Sequence, residues 1–401
     1  MSALLRSKAG ALVVATQVAL TIAIVCNALF VVDARLDTAS RPSGVDEANV
    51  FQMRFSGARM IEDRKAMVQA DLDALRAIPG VAAVALVNSL PESTSGSYTG
   101  LSSTPEKPDA GVNCAMYYSG ESMVDALGLR IVEGRDFAPE EIVEVDARTG
   151  APLANHVILS RALARRLFPD AQSYVGKRAY FGTGSDARPL EVVGVVETLM
   201  DSSAQLGDDA YLSFIFPVRL LSNGALYAVR TEPGQLSRVM AAADKQLIAM
   251  RHDRVRTVLR SMDEIRDQRY RQERAGANML IAVTVGLLLV TASGIVGVAS
   301  LWVAQRRKQI GIRRALGARR VDIIKYFVTE NLIITTAGIV LGVALAIGLN
   351  QYLVSKVELA RLPVEYLGGG VVAAWALGLV AVLGPAWRAA TVAPATATRS
   401  V

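Results

Sequence analysis

The sequence predicts a membrane protein: an α-helical bundle of four transmembrane helices joined to an α+β domain outside the bilayer. Three observations predict it. Four long runs carry no charge, a 242-residue segment between the first two holds most of the charged residues, and a strand–helix–strand order occurs twice within that segment. Apolar residues make up 52% of the chain and charged ones only 20%, a balance that places it outside ordinary soluble domains.

Each element follows from its own residues. After a short N-terminus (1–8), Ala9–Val32 is 24 residues without a charge. It exceeds the roughly 7–15-residue apolar core of a signal peptide and has no small-residue cleavage site after it, so a retained anchor is expected. Ala275–Gln305, Asn331–Ser355 and Leu367–Trp387 are the other three spans, each at or above the ~20 residues that cross a bilayer as a helix. Between the second and third lies "RRKQIGIRRALGARRVDIIKYF", where eight basic residues face the single acid Asp322, a net +7 against +6 for the whole chain. The remainder is therefore near neutral, and with no interleaved aromatics or DNA-reading motif the basic excess does not describe a nucleic-acid binder.

Lys and Arg in short loops orient the spans. Arg6 and Lys8, the basic segment 306–330, and Arg388 and Arg399 in the tail 388–401 can all be cytoplasmic together. The uncharged-on-balance loop 356–366 and the segment 33–274 then lie outside.

Within 33–274, Asn49–Phe55, a helix near Ile61–Ile78 and "VAAVALV" form one strand–helix–strand unit; "ALYAVRT", a helix over Gln235–Met250 and "RVRTVLRSM" form another. They are expected as two halves (43–115 and 210–262) of one split sandwich, with an inserted module over 116–209 that holds the strands "HVILS" and "LEVVGVVETL" and the helix Ser160–Phe168. Ser89–Gly111, rich in Ser, Thr, Gly and Pro, is expected as an exposed loop. Asp33–Leu36 and Asp263–Arg274 are expected as helical stalks. Cys26 and Cys114 fall on opposite sides of the membrane boundary, so no disulfide is expected, and Cys114 is expected as a small buried hydrophobe.

Several chemistries find no residues. No G-x-x-x-x-G-K-[ST] occurs. "GTGSDA" matches G-x-G-x-x-A but precedes a Pro and a strand, which predicts a hairpin turn. His156 and His252 stand in different modules without metal-ligand spacing, and no cofactor site is expected. The spans hold no Asp, Glu, Lys or Arg, which argues against a proton or ion relay. They do hold small residues four apart: Gly338, Gly342 and Ala346; Gly370, Ala374 and Gly378; Ser293 and Gly297. Such stripes let helix backbones approach. Gln17 and Thr21 offer interhelical hydrogen bonds.

"RRKQIGIRRALGARRVDIIKYFVTENLI" closely resembles the cytoplasmic segment of FtsX-like permeases of the MacB type. "LGLRIVEGRDF", "HVILSRALARRLFPDAQSYVGKRAYF" and "LEVVGVVETL" resemble the MacB-like periplasmic core, and "GPAWRAATVAPATA" resembles the family's ending. Gln309 stands where the family commonly has an acid. The resemblance implies a porter-like split domain, residence in a bacterial inner membrane, and a permease of the MacB (type VII) ABC transporter class that is not itself an enzyme. It implies ATP and Mg held by separate ABC ATPase subunits, since only a few residues precede the first span, and a second permease chain, identical or paralogous. A periplasmic adaptor, an outer-membrane channel and membrane lipid are further implied partners.

The segment meeting the ATPase would be Ile310, Gly311, Ile312, Arg313, Ala315, Leu316, Gly317, Ala318, Ile323, Phe327 and Glu330. Ile312, Leu316, Ile323 and Phe327 are expected near one helical face, as an apolar ridge on a bent pair of short helices interrupted by Gly317 and Arg319. Export of a peptide, antibiotic or lipid follows from the resemblance. An FtsX-like mechanotransmitter acting on a cell-wall partner, and a lipoprotein-extracting permease, remain alternatives.

Overall fold

A computed structural model describes residues 8–57, 61–105, 111–148, 150, 154–182, 184, 187–204, 207–357 and 361–391. In chain order the elements are α1 (Lys8–Ser40), β1 (Val50–Gly57), α2 (Arg64–Arg76), β2 (Val81–Val87), β3 (Ser97–Ser102), β4 (Val112–Tyr118), α3 (Met123–Leu127) and β5 (Ile131–Gly134). Then come β6 (Val143–Asp146), β7 (His156–Ser160), α4 (Arg161–Leu167), β8 (Arg178–Phe181), β9 (Arg188–Val196), β10 (Ser213–Phe216), β11 (Val218–Leu221) and β12 (Gly224–Thr231). The chain continues through α5 (Leu236–Met250), β13 (Arg254–Ser261), α6 (Met262–Gln305), α7 (Arg307–Ala315), α8 (Arg320–Val357) and α9 (Val364–Ala390). It separates into two compact units, one from Ser40 to Arg271 and one from the residues before and after.

In the Ser40–Arg271 unit, β13-β1-β12-β2 form a four-stranded sheet whose neighbours all run antiparallel. This is the split β-α-β-β-α-β order. Alternation along β1 sends Phe51, Met53 and Phe55 to one face, where α2 and α5 cover them with Leu72, Leu75, Val239 and Leu247. Asp63 caps α2 by accepting from Ala66 N, and Gly80, in the left-handed region at φ 89°, turns the chain out of the helix.

The insertion is larger than 116–209. A seven-stranded sheet runs β5-β9-β7-β10-β4-β3-β8, and an added β8–β9 pairing closes six of its strands into a ring. Leu101, Cys114, Met116, Val157, Leu159, Val192, Phe214 and Phe216 share its core with Leu163 and Leu167 of α4, as inward alternation in a small barrel requires. The strand β10, expected in the sandwich half 210–262, pairs in parallel with β4, so both belong to the insertion. The exposed loop expected over 89–111 contains β3, which pairs with β4 and β8. It also contains Leu90 and Glu92, both fully buried, while 106–110 lie outside the described residues. Around "GTGSDA", β8 and β9 form an antiparallel hairpin, closing at Phe181 opposite Arg188. Cys114 is buried and unbridged, and burial pushes its thiol up to about 12.

Among the described residues, four helices are long and apolar enough to cross a bilayer: Ala9–Ser40, Met262–Gln305, Arg320–Ser355 and Val364–Ala390. The stretches Asp33–Leu36 and Asp263–Arg274 are continuous with α1 and α6. Beyond the uncharged runs Arg35 Nη1 meets Glu273 Oε2 at 2.6 Å, joining the two helices.

Candidate functional site

The basic segment folds as an elbow. The helix α6 stops at Gln305, and α7 follows after Arg306 alone, whose φ of −101° and ψ of 10° break the helical path. The end of α7 is a Schellman motif: Ala318 N donates to Arg313 O at 3.1 Å and Gly317 N to Arg314 O at 3.2 Å, with Gly317 at φ 98°. Asp322, the lone acid, accepts from Arg319 N at 2.9 Å and so caps α8. The breaks at Gly317 and at the start of α8 thus have their own hydrogen-bonded closures.

The side chains divide into two sets. Ile310, Gly311, Ile323 and Phe327 turn inward, and the three apolar ones share a core with Trp302, Ala386 and Ala389. Ile312 is 47% exposed and Leu316 84%. Arg313, Ala315 and Gly317 are exposed beside them, and Ala318 is half-buried. The single four-residue ridge is therefore corrected to two sets: Ile323 and Phe327 share an inward face with Ile310, while Ile312 and Leu316, one turn apart on the far side of α7, face outward. Only α7 is short; its partner is the first turns of the 38-residue α8.

Glu330 grips the elbow's start. Arg306 donates Nη1 to Glu330 Oε2 at 2.7 Å and Nη2 to Oε1 at 3.0 Å, a two-pronged pair that is nearly buried. This bonding holds Arg306 above the ordinary arginine range, so it stays charged. Arg306 also donates to Tyr326 Oη at 3.0 Å, and the Arg313 guanidinium stacks 5.2 Å from the Tyr326 ring. Tyr326 carried no signal in the sequence reading. Its one cue is position, one helical turn before Glu330.

The small residues of α8 and Gly370 meet α1, and Gly378 meets α8. A Cβ on Gly338 would come 2.7 Å from Ala15 O, and one on Gly342 2.9 Å from Ala19 O. Ala346 is buried, and its carbonyl accepts from Asn27 Nδ2 at 3.1 Å. A Cβ on Gly370 would collide with Cys26 Sγ, and one on Gly378 would come 3.1 Å from Thr335 Oγ1; Ala374 is half-buried against the same core. Gly297 faces open space. Gln17 donates to Val290 O at 2.9 Å, and Thr21 and Thr291 hydroxyls bond at 2.7 Å.

Residues 13–249 match the model of the MacB-like periplasmic core domain, and residues 281–394 that of the FtsX-like permease C-terminal region. The macrolide export ATP-binding/permease protein MacB of Acinetobacter baylyi is 26% identical over 367 residues, covering 88% of this chain and 51% of that protein. MacB of Nitrosomonas europaea is 28% identical over 262 residues, covering 63% of this chain and 37% of its own. The chain spans about half the length of the curated relatives it matches. Among solved structures, the extracellular domain of the ABC-type transporter YknZ from Gram-positive bacteria covers 52% of this chain at 16% identity, with a TM-score of 0.32. The chain thus belongs to the FtsX-like ABC transporter permeases with a MacB-like periplasmic core, multi-pass membrane proteins whose α+β domain is extracytoplasmic.

Proposed function

We propose that this chain transmits ATP-driven movement, supplied by separate ABC ATPase subunits that hold ATP and Mg, to its extracytoplasmic domain, and that the movement exports a substrate. The observation that carries this reading is the elbow itself: a backbone closed by its own caps, anchored inward by Ile310, Ile323 and Phe327, that leaves Leu316 84% exposed beside Ile312. An apolar side chain held out on a rigid turn is a knob for a protein socket. The basic residues around it keep the elbow and both termini cytoplasmic under the positive-inside rule and favour anionic lipid nearby. A second permease chain, identical or paralogous, completes the complex, with an adaptor and outer channel as further partners. The substrate would be an antibiotic, as the relatives' name suggests, or a peptide or lipid.

The test is isolation of the tagged chain from its native membranes with its bound proteins. An ATPase together with an adaptor supports export. Recovery of a cell-wall hydrolase or its activator in place of an adaptor would make the chain a regulator, and recovery of no ATPase would end the proposal.

A further inference from the structure

The Ser40–Arg271 unit contains a cleft of about 210 Å³ on the face of the four-stranded sheet opposite its helices. Near Val50 and Ala228 that face is packed shut against Ile158 and Val193 of the insertion. Toward the other end the small residues Ser56 and Gly224 replace bulky ones, and the sheet parts from Tyr118, Val218 and Leu220. Val87 and Leu226, on the same sheet face as Arg54, complete the apolar walls, and Asn88 and Ser222 add polar ones.

One charge enters this cleft. Strand alternation sends Arg54 to the opposite face from Met53 and Phe55, and the β1–β13 register shifts between Arg54 and Phe55. Arg54 is half-buried, yet its guanidinium makes no hydrogen bond and no ion pair among the described residues. Elsewhere in this unit these half-buried and buried arginines are paired: Arg64 with Asp146, Arg219 with Glu121, Arg254 with Asp71 and Arg266 with Glu47. A guanidinium is a rigid fork of donors that matches a planar oxyanion, and losing water without gaining a partner is unfavourable.

The geometry points to a ligand site here for a small amphipathic carboxylate, its head on Arg54 and its apolar body against Val87, Leu220 and Leu226. A single lining cation selects a singly charged head. Size follows from the volume, since a cavity of about 150 Å³ holds a benzene-sized body. A body of about six carbons therefore fits, whereas drug-sized ligands need about 300 Å³ or more. The inference does not depend on export.

The test uses the full chain in nanodiscs and hexanoate as probe, with saturation-transfer NMR as readout and empty nanodiscs subtracted. Hexanoate should bind saturably, and hexylammonium, of the same length and opposite charge, should not. Arg54→Gln should weaken hexanoate about tenfold or more with an unchanged melting temperature, the scale of one charge-assisted hydrogen-bonded pair. Ser56→Trp, part-exposed on the same sheet face as Arg54, fills the cleft while keeping Arg54 and should abolish binding. Absence of saturable hexanoate binding, equal binding of hexylammonium, or wild-type affinity in the Arg54→Gln variant would each overturn the site.

Discussion

Glu92 is fully buried and sits in the left-handed region at φ 62°, where a side chain other than glycine's is strained. Tyr270 Oη donates to its Oε1 at 3.1 Å and Arg266 lies 3.4 Å away, while Oε2 has no hydrogen-bond partner. Burial pushes the carboxyl up; Arg266 pulls it down and Glu47 adds to the rise, with a net upward shift. A carboxyl raised on folding holds more protons in the native state than in the unfolded one, so its contribution to stability falls as pH rises through the folded pKa. Glutamine cannot titrate. The stability of Glu92→Gln minus that of the wild type should therefore grow between pH 4.5 and 8, read as unfolding midpoints at both. A gap that shrinks over that interval would show that ionised Glu92 stabilises the fold through Arg266. Asp71 is equally buried, but bonded twice by Arg254 and once by Tyr227 Oη at 2.6 Å. Asp71→Ala leaves Arg254 charged and buried, and should cost about 3–5 kcal/mol in chemical denaturation. Neither residue is visible in the sequence reading, because the partners of Asp71 lie on β12 and β13 and those of Glu92 on α6 and the segment before β1, far along the chain.

Elements differ in how far sequence exposes them. The four spans are legible because a bilayer admits only uncharged helices of sufficient length, a condition satisfied locally. The insertion's limits are not, since β4 is assigned by pairing with β10, and "SFIF" in isolation reads equally as a strand of either sheet. The small-residue stripes lie between these cases. Spacing identifies Gly338, Gly342 and Gly297 alike, but only the first two face backbone. A methyl on Gly342 meets Ala19 O and Ile22 Cβ at 2.9 Å, and the carbonyl cannot move without its helix. Gly342→Ala should thus lower the thermal stability of the detergent-solubilised chain, by about 1–3 kcal/mol if overpacking follows its usual scale. Gly348→Ala on the same helix, with nothing within 4 Å, should be neutral or slightly stabilising, since alanine is the better helix former. Equal effects at both positions would mean that α8 does not depend on close approach to α1.

At the scale of the whole molecule, the elbow's charge and its apolar knob can be separated. The chain has no P-loop, so it should hydrolyse no ATP when purified free of other subunits; on the proposed reading, any effect on hydrolysis passes through contact with the ATPase. Leu316→Asp and Arg320→Gln each lower the elbow's net charge from +7 to +6, and both positions are exposed. Orientation, governed by Lys and Arg, should survive either change. The two differ in what a partner would bury. An aspartate at Leu316 would carry an unpaired carboxylate into an apolar contact, at a cost of several kcal/mol, whereas glutamine at Arg320 alters a solvated position at the start of α8. Leu316→Asp should therefore insert and orient normally yet lose ATPase recovery in a pull-down and lose ATP-dependent function, while Arg320→Gln keeps both. Equal recovery and equal activity for the two variants would leave the basic residues to topology alone and remove the coupling role from the elbow.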